Sequence, residues 1–449
     1  MTSQQQRHRL APHLAGMRVT VVGLGRFGGG VGVTKWLCGQ GATVTVSDKA
    51  SADSLAESIS QLADCDAVLH LGGHDEADFL TADLLVVNPA VGKDSPALFA
   101  AASSGVPRTS EINLFLQRCP APVVGVTGSV GKSTTTAMIG EMLARRFTTH
   151  VGGNIGGSLL DALDDIRDDH VVVMELSSFQ LEDLPLVGVS PRVAVVTNLQ
   201  PNHLDRHGTM AAYADAKRNI FAYQGPEDVL VLNAADAALA SWAADAPGKV
   251  EMFDPAGEPF ELSVPGPHNQ ANAQAAYAAA RQSGLSAGVD VDRGTAAKAL
   301  LAFTGLPHRL QFVAERRGVR YVNDSKCTTP AGAIVALEAF EPGRCVIIVG
   351  GYDKGASFDE MGRAIAGRAK AVVAIGATRE KILAAVAAAG KLGSSAICRA
   401  DDLASAVSLA REHAERGDTV LLSPACASYG LFDNYEQRGR AFVDLVADS

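Results

Sequence analysis

The chain has 449 residues, 47% of them hydrophobic and 20% charged, with a formal net charge of −10. That length predicts about three domains, and the apolar fraction supports buried cores rather than disorder. The acidic balance argues against a nucleic-acid partner, which needs a basic face, but leaves room for anionic small ligands held by local cations and backbone N–H groups.

Seven cysteines, an odd number with no C-x-x-C pair, read as reduced thiols. The opening MTSQQQRHRLAPHLAGM lacks an apolar signal core, and no apolar run reaches the ~18 residues of a bilayer span. A soluble cytoplasmic protein with no membrane span is expected. Short apolar strands alternate with Ala-rich helical stretches throughout, the α/β pattern.

In the first block, a strand at Arg18–Val22 runs into Gly23-Leu24-Gly25-Arg26-Phe27-Gly28. A second strand, Thr43–Ser47, ends at Asp48. Glycines at this spacing, with an acid ~20 residues on, let backbone approach a diphosphate at a helix N-terminus. By itself the pattern fits NAD, another diphosphate nucleotide, or plain strand–helix packing.

The second block opens on the strand Pro122–Thr127 and the turn Gly128-Ser129-Val130-Gly131-Lys132-Ser133-Thr134. Its glycines are two residues closer than in the commonest phosphate loop. Met138, Ile139, Met142 and Leu143 predict a helix with one buried face directly after it. A glycine turn between strand and helix is the context a phosphate loop needs: Lys132 would reach the β/γ-phosphates and Ser133 or Thr134 would hold Mg²⁺. A turn with no ligand is the plainer alternative. Further on, one strand ends at Glu175 and another, Val193–Thr197, leads to His203. Both lie at strand C-termini, where α/β sheets bind ligands. Lys217, within YADAKRNIF, reads by default as a solvated helix lysine.

In the third block four strand-like runs, VRYVNDSK, CVIIVGGYDKG, AVVAIG and TVLLSPACAS, end in turn or polar residues. Three such ends in one sheet predict a cleft.

Taken together these segments resemble the Mur ligase family, ATP-dependent amide-forming enzymes of peptidoglycan synthesis. The short T-G-x-x-G-K-[ST] loop at Thr127–Ser133 is the family's own, and ELSSFQLE, GLPHR, NDSK, SPACAS and NYEQRG follow in family order. The resemblance implies three domains: a Rossmann-like N-terminal domain (1–110) that binds UDP rather than NAD, a central P-loop ATPase-type α/β domain (111–305), and a C-terminal Rossmann-like α/β domain (306–449) for the amino acid. It is nearest in the branch that adds D-glutamate to UDP-N-acetylmuramoyl-L-alanine (UDP-MurNAc-L-Ala) through an acyl phosphate. Alternatives are a sibling ligase with another amino-acid specificity, a folylpolyglutamate synthase-like enzyme, or an NAD-dependent oxidoreductase.

Residue by residue, the resemblance implies that Gly128, Gly131, Lys132, Ser133 and Thr134 bind ATP phosphates and that Asn269 and Asn272 contact adenine. Arg309 and Asp324 would close over ATP. Ser133, Glu175, His203 and Lys217, the last as a carbamate, would serve two Mg²⁺ ions. Gly23, Gly25, Gly28, Asp48 and Asn154 would contact the sugar nucleotide; Thr328, Lys354, Ser428 and Tyr435 would hold D-glutamate. Catalysis would fall to Lys132, Glu175, His203 and Lys217, in a monomer. The chain departs from the family at Ser129-Val130 (usually Thr-Asn), in the longer glycine run Gly28–Gly32, at Cys327 (usually a small residue) and at Tyr435 (usually Phe), whose hydroxyl needs a partner if buried.

Overall fold

A computed structural model describes residues 13–25, 29–92, 94–264, 266–390, 392–393 and 396–447. Among these, three sheets follow one another along the chain. The first comprises β1 (Arg18–Val22), β2 (Thr43–Asp48), β3 (Ala67–Leu71), β4 (Leu84–Val87) and β5 (Arg108–Thr109), in the order β3-β2-β1-β4-β5. All its pairings are parallel. The order reverses beside β1, so a crevice opens at its C-terminal end, where Gly23 begins.

The second sheet comprises β6 (Val123–Thr127), β7 (Thr149–Gly153), β8 (Val171–Glu175), β9 (Val193–Val196), β10 (Val229–Asn233) and β11 (Lys249–Phe253), in the order β11-β10-β9-β6-β8-β7. It too is wholly parallel. β6, β8 and β9 read VVGVT, VVVME and VAVV and are buried along their whole length, as a strand covered on both faces requires. Glu175, His203 and the glycine turn after Thr127 therefore leave three adjacent strands at the same edge.

The third sheet comprises β12 (Gln311–Arg316), β13 (Val319–Asn323), β14 (Cys345–Gly350), β15 (Ala371–Ile375), β16 (Ile397–Arg399) and β17 (Thr419–Leu422), in the order β12-β13-β17-β14-β15-β16. The sequence reading found β13, β14, β15 and β17 but not the two edges. β12 is antiparallel to β13, carries an irregularity between Phe312 and Ala314, and is mostly half-exposed; β16 has only three residues. Neither has the continuous apolar run that marks a central strand.

The chain packs as two compact units: Met1–Glu258 with Ala271–Ala299, and Pro259–Gln270 with Leu300–Ser449. In the first unit one apolar core runs from Val19, Val44 and Leu84 through Ile112, Phe115 and Leu160 to Val172, Val196 and Leu230. The helix Glu111–Arg118 and the short turn Leu159–Asp165 thus join the first two sheets into one body. The second unit has a core on each face of its sheet, one around Ile347 and Ile365, the other around Ile348 and Phe442. Side chains of this size contribute roughly 1.5–3 kcal/mol each when fully buried, so the strand ends that carry polar residues sit on rigid supports.

Candidate active site

β6 ends at Thr127, and the chain turns through Gly128 and Gly131 into the helix Lys132–Leu143. Met138, Ile139, Met142 and Leu143 are buried, as the periodicity predicts. Both turn glycines are needed. Gly128 has φ +148° and a Cβ there would lie 2.0 Å from Thr197 Oγ1; Gly131 has φ +81° and a Cβ would lie 2.3 Å from Asn272 Oδ1. Gly131 is the N-cap and makes no side-chain cap hydrogen bond to the first turn, a helix end that favours an anion. The nearby helix Ser178–Leu181 contrasts with it, being closed by a capping box between Ser177 and Gln180.

Lys132 Nζ is folded onto the turn, donating to the carbonyls of Gly128 and Ser129, both at 3.1 Å. Ser133 is buried and Thr134 half-buried. Ser129, one of the departures from the family pattern, is a structural tie. Its hydroxyl donates to Gln200 O and accepts from Gln200 N, both at 2.8 Å, and accepts from Tyr213 Oη at 3.2 Å. Val130, the other departure, is 53% exposed at the tip of the turn.

Lys217 is not a solvated lysine. It is 1% exposed, and its Nζ donates to Gly128 O at 2.8 Å and Thr127 Oγ1 at 3.2 Å. The helix Met210–Arg218 turns Tyr213 and Lys217, four residues apart, to the same side, and Nζ sits 4.6 Å from the Tyr213 ring centroid. Burial, then the charge of Lys132, push its amine down to about 7 against the opposing pull of Glu175. Tyr213, which the sequence analysis does not single out, stands four residues before Lys217, and that spacing is the signal that places its ring against the amine.

Glu175 is 2% exposed at the end of β8. Asn154 Nδ2 donates to its Oε1 at 2.8 Å, while Oε2 is buried with no hydrogen-bond partner. A buried carboxylate oxygen left open is a place for a cation. His203 caps the helix Leu204–His207 in the left-handed region, φ 53°, with its ring 5.0 Å from that of Phe179 at the edge. Partial desolvation, then Lys132, hold its imidazole below the ordinary value, which keeps it neutral near pH 7. Among the described residues no group of three or more His, Cys, Asp or Glu side chains could hold a metal. Mg²⁺ takes one or two protein oxygens and draws its remaining ligands from phosphates and water. Glu175 and Ser133 are oxygen donors of this kind; an imidazole is a poor one.

Asn269 and Asn272 lie three apart on the helix Pro267–Ser286, both buried. Asn272 Oδ1 accepts from Thr135 Oγ1 at 3.4 Å, just behind the phosphate turn. At the first sheet, Gly23 N donates to Ser47 O at 2.9 Å, and Gly25 N donates to Asp48 Oδ2 at 3.1 Å. Asp48 Oδ1 accepts from Ala50 N at 2.8 Å, so this acid first of all shapes the glycine turn. Gly28 lies outside the described residues.

In the second unit β13, β17 and β14 are neighbours, and their polar ends converge as the sequence predicts. Asp324 is buried, accepting from Ser423 Oγ at 2.7 Å and Leu310 N at 3.2 Å, and burial lifts its carboxyl to about 6. Arg309 is half-buried in a tight turn closed onto Leu306, between His308 and Leu310, both with positive φ. Thr328 is exposed beside the helix cap Thr329, and Ser428 is buried. Lys354 is exposed, 6.0 Å from the Tyr429 ring centroid. Tyr435 is half-buried, and burial with a hydrogen bond to Glu436 pushes its phenol up to about 12. That partner meets the need its extra hydroxyl creates. Burial pushes the Cys327 thiol up to about 12 as well, which disfavours the reactive thiolate.

Arg438, from NYEQRG, is the hub of these loops. It is 1% exposed and donates to Ser325 Oγ (2.9 Å), Ser325 O (2.8 Å) and Cys426 O (3.1 Å). Ser325 Oγ in turn donates to Tyr435 O at 2.8 Å. An arginine in a polar run such as NYEQRGR predicts exposure, so sequence alone did not single it out.

Comparison with known proteins decides the family. Residues 17–110 match the Mur ligase MurD-like N-terminal domain, 126–258 the Mur ligase middle domain, and 308–426 the Mur ligase glutamate ligase domain. The chain belongs to the Mur ligase family. Among its relatives, the UDP-N-acetylmuramoylalanine–D-glutamate ligase of Symbiobacterium thermophilum is 42% identical, over 96% of this chain and 97% of the relative. That of a Roseiflexus species is 40% identical over 96% and 99%. Solved Mur ligases share the fold. UDP-N-acetylmuramate-alanine ligase from Thermotoga maritima superposes with a TM-score of 0.60 at 22% identity, covering 96% of this chain and 99% of the other. MurF from the same species gives 0.56 at 18%, over 91% and 96%. No helix among the described residues is long and apolar enough to cross a membrane.

Proposed function

We propose that this Mur ligase adds D-glutamate to UDP-MurNAc-L-Ala at the expense of ATP, forming an amide and releasing ADP and phosphate. The observation that carries the assignment is the meeting, at one sheet edge, of an uncapped glycine turn with Lys132, the open oxygen of Glu175, and the buried amine of Lys217. Relatives about 40% identical over nearly the whole chain, named as D-glutamate ligases, support the choice of substrates. The domains are taken as 1–110, 111–305 and 306–449.

Two anions must be brought together, a carboxylate and a triphosphate. The helix N-terminus at Gly131 and the ammonium of Lys132 orient the phosphates and offset their charge. Mg²⁺, held by Glu175 and Ser133, would supply charge neutralisation to the transferring phosphoryl group. Asn154 fixes the Glu175 carboxylate, and Asn272 braces the turn against the adenine side. Lys217, with an amine near neutrality, is chemically suited to take up CO₂; the carbamate would turn a buried cation into an anion that faces the cations of the site. Within the second unit, Arg309 and Asp324 would serve a nucleotide and Thr328, Lys354, Ser428 and Tyr435 an amino acid, and Arg438 ties together the loops of Ser325, Cys426 and Tyr435. An acyl phosphate hydrolyses easily, so the reaction requires that water be kept from it. Asp48, Gly23, Gly25 and Gly28 would hold the UDP end of the acceptor.

The test is ADP release with UDP-MurNAc-L-Ala and a panel of amino acids. Stimulation by D-glutamate alone is expected; stimulation by L-glutamate or a diamino acid instead would move the chain to a sibling specificity.

A further inference from the structure

Arg206 lies three residues after His203 on the short helix Leu204–His207. Its Nη2 donates to two carbonyls of one loop, Pro89 O at 2.5 Å and Val91 O at 3.2 Å. The same guanidinium lies over the Phe179 ring, 4.2 Å from its centroid. An exposed arginine is ordinarily a loose side chain, but this one has three partners drawn from two different sheets.

Each partner leads to a different part of the site. Pro89 and Val91 belong to the turn after β4. Asn88 N in that turn donates to Val22 O at 2.9 Å, and a Cβ on Gly23 would lie 2.9 Å from Val91 Cγ2 and 3.1 Å from Asn88 Cβ. The turn is therefore the wall against which the first glycine loop is built. Phe179 follows Glu175 by four residues; its ring stacks on His207 at 5.2 Å and meets His203 edge-on at 5.0 Å. One planar, fork-shaped cation thus joins the wall of the first glycine loop to the segment that carries Glu175 and His203. A lysine could reach one of those carbonyls but could not stack and bridge at once.

The acceptor in the proposed reaction is long, with a nucleoside diphosphate at one end and the reacting carboxylate at the other. When both ends bind one body, affinity for the whole exceeds that for the parts only if the two sites are held at the span of the molecule. We propose that Arg206 is a positioning residue that fixes the separation between the glycine loop of the first sheet and the phosphoryl-transfer site of the second. It thereby selects acceptors that reach both. This rests on the ligase function proposed above.

The experiment compares binding of UDP, which occupies one end only, with binding of UDP-MurNAc-L-Ala, by calorimetry on the full chain. Arg206→Met should leave UDP affinity within about twofold and weaken the long acceptor by about tenfold. KM for the acceptor should rise while KM for ATP stays within about twofold, and Arg206→Lys should restore part of the loss. If the methionine variant does not fold, Arg206→Gln, which keeps a donor, is judged by the same ratio. Equal weakening of UDP and acceptor, or no change in either, overturns the proposal. The wild-type chain is assayed alongside. Tight acceptor binding without D-glutamate-dependent ADP release would refute the proposed reaction, while the ratio of affinities would still judge Arg206.

Discussion

Asn154 Nδ2 donates to Glu175 Oε1 at 2.8 Å and leaves the other carboxylate oxygen buried and open. Asn154 N also donates to Glu175 O at 2.9 Å, so the two residues are tied through side chain and backbone alike. The amide therefore aims the open oxygen. Groups that orient a metal-binding carboxylate typically change metal affinity by about 10–100-fold when removed. Asn154→Ala should raise the Mg²⁺ concentration for half-maximal ADP release at least about tenfold, with a smaller fall in the rate at saturating Mg²⁺. Glu175→Gln keeps the bond to Asn154 and should lose activity by more than about a hundredfold that added Mg²⁺ does not restore. An Asn154→Ala enzyme with an unchanged Mg²⁺ titration would detach this pair from the metal.

The phosphate turn makes a sharper steric prediction. At Gly131 any Cβ meets Asn272 Oδ1 at 2.3 Å, in a backbone region that side chains rarely adopt. Gly131→Ala should raise KM for ATP by more than about tenfold. Adding Asn272→Ala removes the clash but not the φ strain, and it also removes the Asn272 contacts, so the double variant should still bind ATP more weakly than the Asn272→Ala single variant. Full recovery to the level of that single variant would mean that the left-handed conformation is not needed for phosphate binding.

The central strands, the glycine turn and its helix were legible in the sequence because they rest on local patterns: buried apolar runs, a strand–turn–helix order, and a period-3.6 stripe at Met138–Leu143. The edge strands β12 and β16 were not, because a half-exposed or three-residue strand has no such pattern. Lys217 shows the limit most clearly. Its own segment, YADAKRNIF, reads as a solvated helix face, and only the tertiary placement of that face beneath Gly128 buries it. Arg438 and Arg206 fail to announce themselves for the same reason, since their partners are 12 to 117 residues away.

The buried amine of Lys217 ties activity to pH. With its folded value near 7, the neutral form that reacts with CO₂ becomes the major species as pH rises through 7. ADP release should climb between about pH 6 and 8 and depend on dissolved CO₂. Lys217→Ala should lose activity by about a hundredfold and regain some with added short carboxylates. Stability follows the opposite substitution logic. The unfolded lysine titrates near 10.5, so the unfolded chain binds the extra proton between pH 7 and 10.5 and stability rises with pH across that window. Lys217→Met should therefore show its largest stability gain over wild type below pH 7, fading toward pH 10. A fully active Lys217→Ala enzyme would dismiss the carbamate.

Glu111 offers a stability test away from the chemistry. It opens the helix that joins the first two sheets, accepts from Ser158 Oγ at 2.5 Å, and is lifted to about 7, first by burial and then by Asp161, against the pull of the Ser158 hydrogen bond. Here the folded value lies above the unfolded 4.5, so the folded chain binds the extra proton between pH 4.5 and 7. Stability is then lost as pH rises through that window. A shift of this size corresponds to roughly 3 kcal/mol at pH 8, where the buried carboxylate is ionised. Glu111→Gln keeps the acceptor for Ser158 and removes the charge. Its melting temperature should exceed that of wild type by several degrees at pH 8, and the difference should close by pH 5. A glutamine variant that melts lower at pH 8 would mean that the charged form is the stabilising one, held by a partner stronger than the Ser158 hydroxyl.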